Sequence, residues 1–278
     1  MIEVTEHTID IDALLKSKMG DKARFVPRFL VRYLKKIIHE DQVNASIWRM
    51  RNLEGVPWAD AGLKEVDVKM RVEGEENLPD ANDGKRYTFV SNHPLGGPDG
   101  LIYAKLLGEK YDGNIRLLVN DLLMNLPGLA PLCVPVNIVG KQNRELPRVL
   151  DAAFASDNNM FVFPAGLCSR SINGEVHDLP WHKTFMQKSI QHKRDVVPLY
   201  LDGQNSKKFY RIANICKALH SPVNVAMLYL VDELYKHVGK TFTVRVGKPI
   251  PWQTFDKSKT TQQWALWVED KVYELKNN

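Results

Sequence analysis

Phe89-Val90-Ser91-Asn92-His93-Pro94-Leu95-Gly96-Gly97-Pro98-Asp99-Gly100 is the stretch from which the rest of the chain is read. Tyr87 to Ser91 is a β-like run that delivers a histidine into a loop of Pro94, Gly96, Gly97 and Pro98. A helix-like run then opens at Leu101, with Asp99 at the position of a helix cap. A histidine at a strand end is held firmly and still meets substrate. A carboxylate turned back toward it fixes the tautomer and stabilises the imidazolium that forms when a proton is taken, which is the minimal equipment of a general base. A plainer reading makes His93 a turn residue and Asp99 an ordinary cap.

A second stretch weighs against the plainer reading. Asn159-Met160-Phe161-Val162-Phe163-Pro164-Ala165-Gly166 is another buried-type strand running into proline and glycine, followed by Leu167-Cys168-Ser169-Arg170. Two strands that end in polar, glycine-bearing loops are how an open α/β sheet builds a site at its carboxyl edge. The expected fold is therefore α/β, a mostly parallel central sheet flanked by helices on both faces, with an N-terminal amphipathic helical segment.

Asn92-His93 with Asp99, then Phe163-Pro164-Ala165-Gly166, then Val196-Val197-Pro198-Leu199-Tyr200, occur in the order used by the glycerolipid (lysophosphatidic acid type) acyltransferases. That family carries an Asn-His-x4-Asp motif, a Phe-Pro-Glu-Gly-Thr motif and a Val-Pro motif. Over roughly residues 25 to 250 the chain most resembles a bacterial, hemolysin-like branch that includes ornithine-lipid and glycine-lipid O-acyltransferases. It departs from the main pattern at three places. Five residues, not four, separate His93 from Asp99. Ala165 stands where the family has glutamate. Val134-Pro135-Val136-Asn137 stands where an arginine usually holds the acceptor phosphate. The last two departures suit an acceptor hydroxyl carried by an acylated amino acid better than one on a glycerol phosphate.

Composition bounds the alternatives. With 278 residues the chain is long enough for a full core. At 44% hydrophobic it is ordinary for a soluble or peripheral protein. Cys133, Cys168 and Cys216 have no zinc or redox spacing and read as reduced thiols of a cytosolic protein. No signal-peptide pattern opens the chain, and no apolar run approaches the ~18 residues that would span a bilayer. The expected location is cytoplasmic, peripheral at the inner face of a bacterial membrane.

Residues 1–65 read as an N-terminal helical, membrane-surface segment and residues 66–278 as the α/β acyltransferase domain. Val26, Phe29, Leu30, Tyr33, Leu34 and Ile37 share one helical face. Between Ala13 and His39 there are eight Lys or Arg against one acid, Asp21. Such a helix either meets anionic headgroups or packs on the domain with a solvated basic edge. Residues 40–53 read as a helix. Residues 55–65, with Pro57, Gly62 and an exposed-looking Trp58, read as a loop, and 66–73 as a half-exposed strand. Strands are expected at 115–119, 133–139, 159–163, 195–201 and 241–246. Helices are expected at 101–107, 121–126, 143–155, 182–192, 207–219 and 223–237, with 177–181 a loop and Ser221-Pro222 a helix start. Thr260 to Leu275 reads as an amphipathic helix whose Trp264 and Trp267 pack on the sheet or lie in a membrane interface.

Acyl transfer to a hydroxyl needs a base, an oxyanion donor, an apolar slot and a positioned acceptor. His93 is the expected base and Asp99 its partner, together supplying on the order of a hundred- to ten-thousand-fold. Asn92, Gly96, Gly97, Phe163 and Pro164 complete the motif. The backbone N–H of Gly166 or Leu167 is the oxyanion candidate. Arg170, Asn137, Lys183 and Trp181 are the acceptor-binding candidates, with Arg170 able to hold a carboxylate bidentately. Asp178 is expected among the walls of the site. Cys168 or Ser169 would serve a covalent route, whereas the resemblance implies direct transfer. The expected partners are an acyl carrier protein or coenzyme A thioester as co-substrate, a lipid acceptor and an anionic membrane surface, with no nucleic acid. Lys141, Arg144, Lys207, Lys208 and Arg211 are candidates to meet an acidic carrier. No cofactor is expected, since no nucleotide-cradling glycine motif is present, and no metal, since the eight histidines lack ligand spacing. The rival functions are lysophosphatidic acid acyl transfer, a non-catalytic hemolysin-like membrane protein, and a serine or cysteine hydrolase.

Overall fold

A computed structural model of the chain describes residues 5, 8–120, 123–124, 126–136, 145–172, 174–218 and 225–277. Helices α1 (Ile11–Met19), α2 (Arg28–Ile38), α3 (Glu40–Arg49) and α4 (Val56–Glu65) precede strand β1 (Lys69–Glu73). Then come β2 (Tyr87–Ser91), α5 (Gly97–Lys110), β3 (Ile115–Asn120), β4 (Cys133–Val136), α6 (Leu146–Ala155) and β5 (Asn159–Val162). A short hairpin, β6 (Arg170–Ile172) and β7 (Glu175–His177), leads to α7 (Thr184–Gln191), β8 (Asp195–Asp202), α8 (Lys207–Ala218), α9 (Val225–Lys236), β9 (Thr241–Val246) and α10 (Thr261–Glu274).

The main sheet has the order β1-β9-β8-β2-β5-β3-β4. Every neighbouring pair is parallel except β8–β9, so β1 and β9 run against the other strands. Strand alternation builds two cores. Phe89, Phe161, Val197, Leu199 and Leu201 face α4 and α5 and pack with Trp58, Ile102, Tyr103 and Leu107. Their neighbours Val90, Met160, Val162, Val196 and Tyr200 face the opposite layer, where Phe185 and Met186 of α7 meet Trp264, Val268 and Val272 of α10. A third cluster joins α2, α8 and α9 through Ile37, Phe209, Tyr210, Ala213, Ala226 and Tyr229, with Cys168 among them.

Several boundaries correct the sequence reading. Residues 56–65 form helix α4, not a loop, because Pro57 falls in the first turn, where its missing N–H is not needed. Gly62 sits buried inside the helix, facing Leu101 of α5. Trp58 is buried, not exposed, and lies so close to Gly128 that a Cβ there would be 2.0 Å from the indole. Val66 and Val68 are buried ahead of the strand, which begins at Lys69. His177 ends strand β7, while the rest of the loop expected over 177–181 carries no regular structure. Trp264 packs in the core and Trp267 against it. The 121–126 helix, the end of the 133–139 strand, the start of the 143–155 helix and Ser221-Pro222 fall wholly or partly outside the described residues. No described helix is long and apolar enough to cross a membrane.

Candidate active site

β2 lies between β5 and β8, with Val90 opposite Val162 and Ser91 opposite Leu199. The loops after these strands therefore meet at one carboxyl edge. Asn92 fastens the first of them. Its Nδ2 donates to Leu201 O at 2.9 Å and its Oδ1 accepts from Leu201 N at 2.8 Å. The asparagine of the motif is thus a clamp on β8 that fixes where the next residue emerges.

That residue, His93, is half-buried and shares a hydrogen bond of 2.8 Å between Nδ1 and Asp99 Oδ2. The extra residue between them is absorbed at Gly96, whose φ of 95° only glycine adopts freely. Asp99 Oδ2 also accepts the Leu95 and Gly96 amides at 3.0 and 3.1 Å. The carboxylate is fully buried in the first turn of α5, where the helix dipole favours a negative charge. Its other oxygen, Oδ1, is buried with no hydrogen-bond donor. Gly97 begins α5, exposed, with open space where a Cβ would stand.

Phe163 lies flat on the imidazole, ring centroids 3.9 Å apart at 17°. The Cys168 thiol makes a side-chain contact with the same ring. Burial alone would lower the imidazole pKa, but the Cys168 sulfur and the Asp99 carboxylate outweigh it and hold it well above the usual histidine value.

The loop after β5 is bonded to the loop after β2. Ser169 N donates to His93 O at 2.8 Å. Buried Asp178 ties both together, accepting from the Ser169 hydroxyl at 2.5 Å, the His93 amide at 3.2 Å and Trp181 Nε1 at 3.1 Å. Its own amide donates to Tyr273 of α10 at 2.9 Å. Burial raises the Asp178 pKa against the pull of these bonds. Asn205, after β8, donates to Pro94 O and Leu95 O at 3.2 Å each and braces the histidine loop from the other side.

The oxyanion expectation narrows. Gly166 has a φ of 69°, and its N–H donates to Phe163 O at 3.0 Å, so it is spent in the turn. Leu167 N–H has no partner among the described residues, which leaves it as the candidate of the two. Pro164 is buried, and its carbonyl accepts from His182 N at 3.0 Å. Ala165 is buried in the α7–α10 core, an environment for a methyl group and not for the family's glutamate.

The acceptor candidates separate. Arg170 is half-buried at the start of β6. Its guanidinium donates to the Cys168 and Ser169 carbonyls and lies over Phe209, with no acidic partner among the described residues. Trp181 is 1% exposed and committed to Asp178, so it supports the loop instead of meeting an acceptor. Lys183 is exposed at the start of α7. Asn137, Lys141 and Arg144 lie outside the described residues. A cleft of about 350 Å³ between the end of α3 and residues 127–128, and one of about 310 Å³ beside Pro249 and Trp267, include none of these groups. Asp178, expected only as a wall of the site, acts as the tie between its two loops, while Asn205 gave little sequence signal, since it acts on backbone atoms of a loop distant in the chain.

A buried carboxylate that orients an imidazole at a strand end equips the site for general-base chemistry. The model of a family described as acyltransferase matches residues 13–278. The chain belongs to the acyltransferase family. It is 55% identical over 267 residues to a lyso-glycine lipid O-acyltransferase of Phocaeicola vulgatus, covering 96% of this chain and 95% of that one. It is also 55% identical over 267 residues to the lyso-glycine lipid O-acyltransferase of Bacteroides thetaiotaomicron, covering 96% and 97%. Among solved structures it is similar to the 1-acyl-sn-glycerophosphate (LPA) acyltransferase of Thermotoga maritima, with a TM-score of 0.51 and 15% identity over 96% of this chain and 97% of that one. At that identity the likeness shows the fold alone. This acyltransferase therefore carries its His93–Asp99 pair on a fold shared with a lysophosphatidate enzyme.

Proposed function

We propose that this acyltransferase moves a fatty acyl group from a thioester to the hydroxyl of an N-(3-hydroxyacyl) amino acid, completing a glycine-type lipid. The observation that carries the chemistry is the 2.8 Å bond between His93 Nδ1 and buried Asp99. With Nδ1 held, Nε2 takes the proton of the acceptor hydroxyl. The oxygen attacks the thioester carbonyl, the oxyanion meets the Leu167 N–H, and the carrier thiol leaves with the proton His93 took. The donor is an acyl carrier protein or coenzyme A thioester, and no further cofactor enters the reaction. The name shared by the two relatives supports glycine in the acceptor, and Arg170 has the charge and geometry to hold its carboxylate.

The acceptor meets the enzyme at a membrane surface. Exposed Phe29, Leu30 and Tyr33 on α2, with Arg28 and Arg32, give that helix the character of an interfacial anchor at the cytoplasmic face.

Acceptor profiling with the purified protein tests the assignment. N-(3-hydroxyacyl)glycine is expected to be esterified and lysophosphatidate refused. Arg170→Ala should raise KM for the free acid about 10- to 100-fold, the range for a charge-assisted bond, and leave the methyl ester nearly unchanged. Use of lysophosphatidate with refusal of the acyl-glycine would overturn the acceptor.

A further inference from the structure

The helical layer over the His93 loop brings three separate elements to one end. α2 lies parallel to α9, since Tyr33 OH meets Tyr229 OH at 2.5 Å and His39 meets Asp232 at 3.1 Å and stacks on Tyr235. α8 lies antiparallel to α9, since Ser206 bonds Glu233 while Lys208 lies over the Tyr229 ring. The start of α2, the start of α9 and the end of α8 therefore share one end of the layer. The β6–β7 hairpin joins them there, because Asn214 Nδ2 donates to Ser171 O at 3.1 Å.

That end is apolar at its tips. Phe25 is 72% exposed, Phe29 69% and Leu30 40%, while Ile215 next to Asn214 is 57% and Ile172 next to Ser171 is 45%. Scattered singly, such residues would be unremarked, but here α2, α8 and the hairpin carry them to the same end of the layer. Exposed Arg24, Arg28, Arg32 and Arg211 stand among them, against exposed Asp21 and Glu175. The layer rests on the site, since Cys168 packs with Phe209, Tyr210 and Tyr229, and Leu230 fills the space beside Gly96. The hairpin that ends in Ile172 begins with Arg170.

We infer that Ile172 and Ile215 form, with Phe25, Phe29 and Leu30, one bilayer-contact rim that seats the site on an anionic lipid surface. The inference rests on the lipid-acceptor reading above and extends the membrane contact beyond α2. Bulky tips on separate elements, interleaved with arginines, suit the boundary between acyl chains and headgroups, where side chains enter singly and guanidinium groups meet phosphates. A protein partner would bring pockets to receive them around a packed centre, whereas these tips stand on separate elements among arginines. Two rim contacts on the hairpin and α8 would also hold Arg170 at the height of the headgroup it binds.

The test is co-sedimentation of the full chain with phosphatidylglycerol–phosphatidylethanolamine vesicles, comparing wild type, F29S and the double variant I172S/I215S. These positions are exposed, so thermal unfolding should be unchanged. The double variant is expected to lose at least about tenfold in partition, and F29S to lose binding separately. Acyl transfer to a detergent-dispersed acceptor should persist in both. If I172S/I215S binds like wild type while F29S does not, the rim is overturned and α2 alone makes the contact. If wild type transfers acyl groups in micelles but sediments with no vesicle, the rim is overturned and the reaction stands. If I172S/I215S keeps its vesicle binding but loses affinity for an acidic carrier protein, the surface belongs to the carrier and the inference falls. Absence of any transfer to an acyl-glycine strikes the reading beneath it instead.

Discussion

Asp99→Asn separates two roles of the carboxylate. In the native site Oδ2 accepts three donors, His93 Nδ1–H, Leu95 N–H and Gly96 N–H, while Oδ1 is buried without a donor. An asparagine places its carbonyl oxygen where the three donors converge and its NH2 where Oδ1 stood. The imidazole then keeps its tautomer. What disappears is the negative charge facing the imidazolium of the transition state. Unit charges ~4 Å apart at an effective dielectric of ~20 interact by about 4 kcal/mol. A charge-assisted hydrogen bond exceeds a neutral one by about 1–2 kcal/mol. The loss should therefore fall between about 1 and 4 kcal/mol, or roughly fivefold to a thousandfold in kcat. Asp99→Ala also frees the tautomer and should cost more. The assay is ester formation from an acyl thioester and N-(3-hydroxyacyl)glycine, with circular dichroism to verify folding. A folded Asp99→Asn protein within threefold of wild type would refute the role given to the charge.

Three further outcomes follow from the same geometry. His93 must be neutral to accept a proton, so kcat/KM should climb with pH through a limb above the ordinary imidazole value, and Asp178→Asn should move that limb down by removing a nearby charge; a wild-type limb below pH 6 would contradict the raised pKa. Burial lifts the Glu269 pKa to about 7, so the folded protein binds this proton more tightly than the unfolded chain, and the stability it contributes is complete below pH ~4.5 and lost through pH 7. Glu269→Gln should then match wild type near pH 4.5 in urea unfolding and exceed it at pH 8 by up to about 3 kcal/mol, whereas equal stability at pH 8 would count against the shift. Cys168 is 5% exposed and packs in the α2–α8–α9 core, so intact mass after incubation with acyl thioester alone should show no adduct, and a hydroxylamine-labile adduct on Cys168 would establish a covalent route.

The sheet was legible wherever a strand is buried on both faces. Tyr87–Ser91, Asn159–Val162 and Asp195–Asp202 all stand within a residue of the apolar runs that announce them. Their carboxyl ends brought His93 and the 163–170 loop together as the alternation of strands and helices implied. Failures cluster where one residue type has two uses. Pro57 reads as a breaker and serves as a first-turn residue of α4. Gly166 reads as a free donor and spends its N–H within its own turn. Long-range polar contacts left no periodic trace. Arg194, fully buried, donates to the carbonyls of Phe154, Ser156 and Asn158, and nothing in its neighbourhood of sequence sets it apart from a surface arginine. Asn92 was legible as part of a motif, but its clamp on Leu201, 109 residues away, needed the sheet order to appear.

His93→Ala, assayed beside wild type for ester formed between a fatty acyl thioester and N-(3-hydroxyacyl)glycine, bears most directly on the whole account. The wild-type protein should yield the diacylated glycine lipid. The variant, folded and equally bound to vesicles, should lose on the order of a hundred- to ten-thousand-fold in rate, the range a positioned base supplies. A variant that makes the same product at the wild-type rate would show that residue 93 does not take the proton.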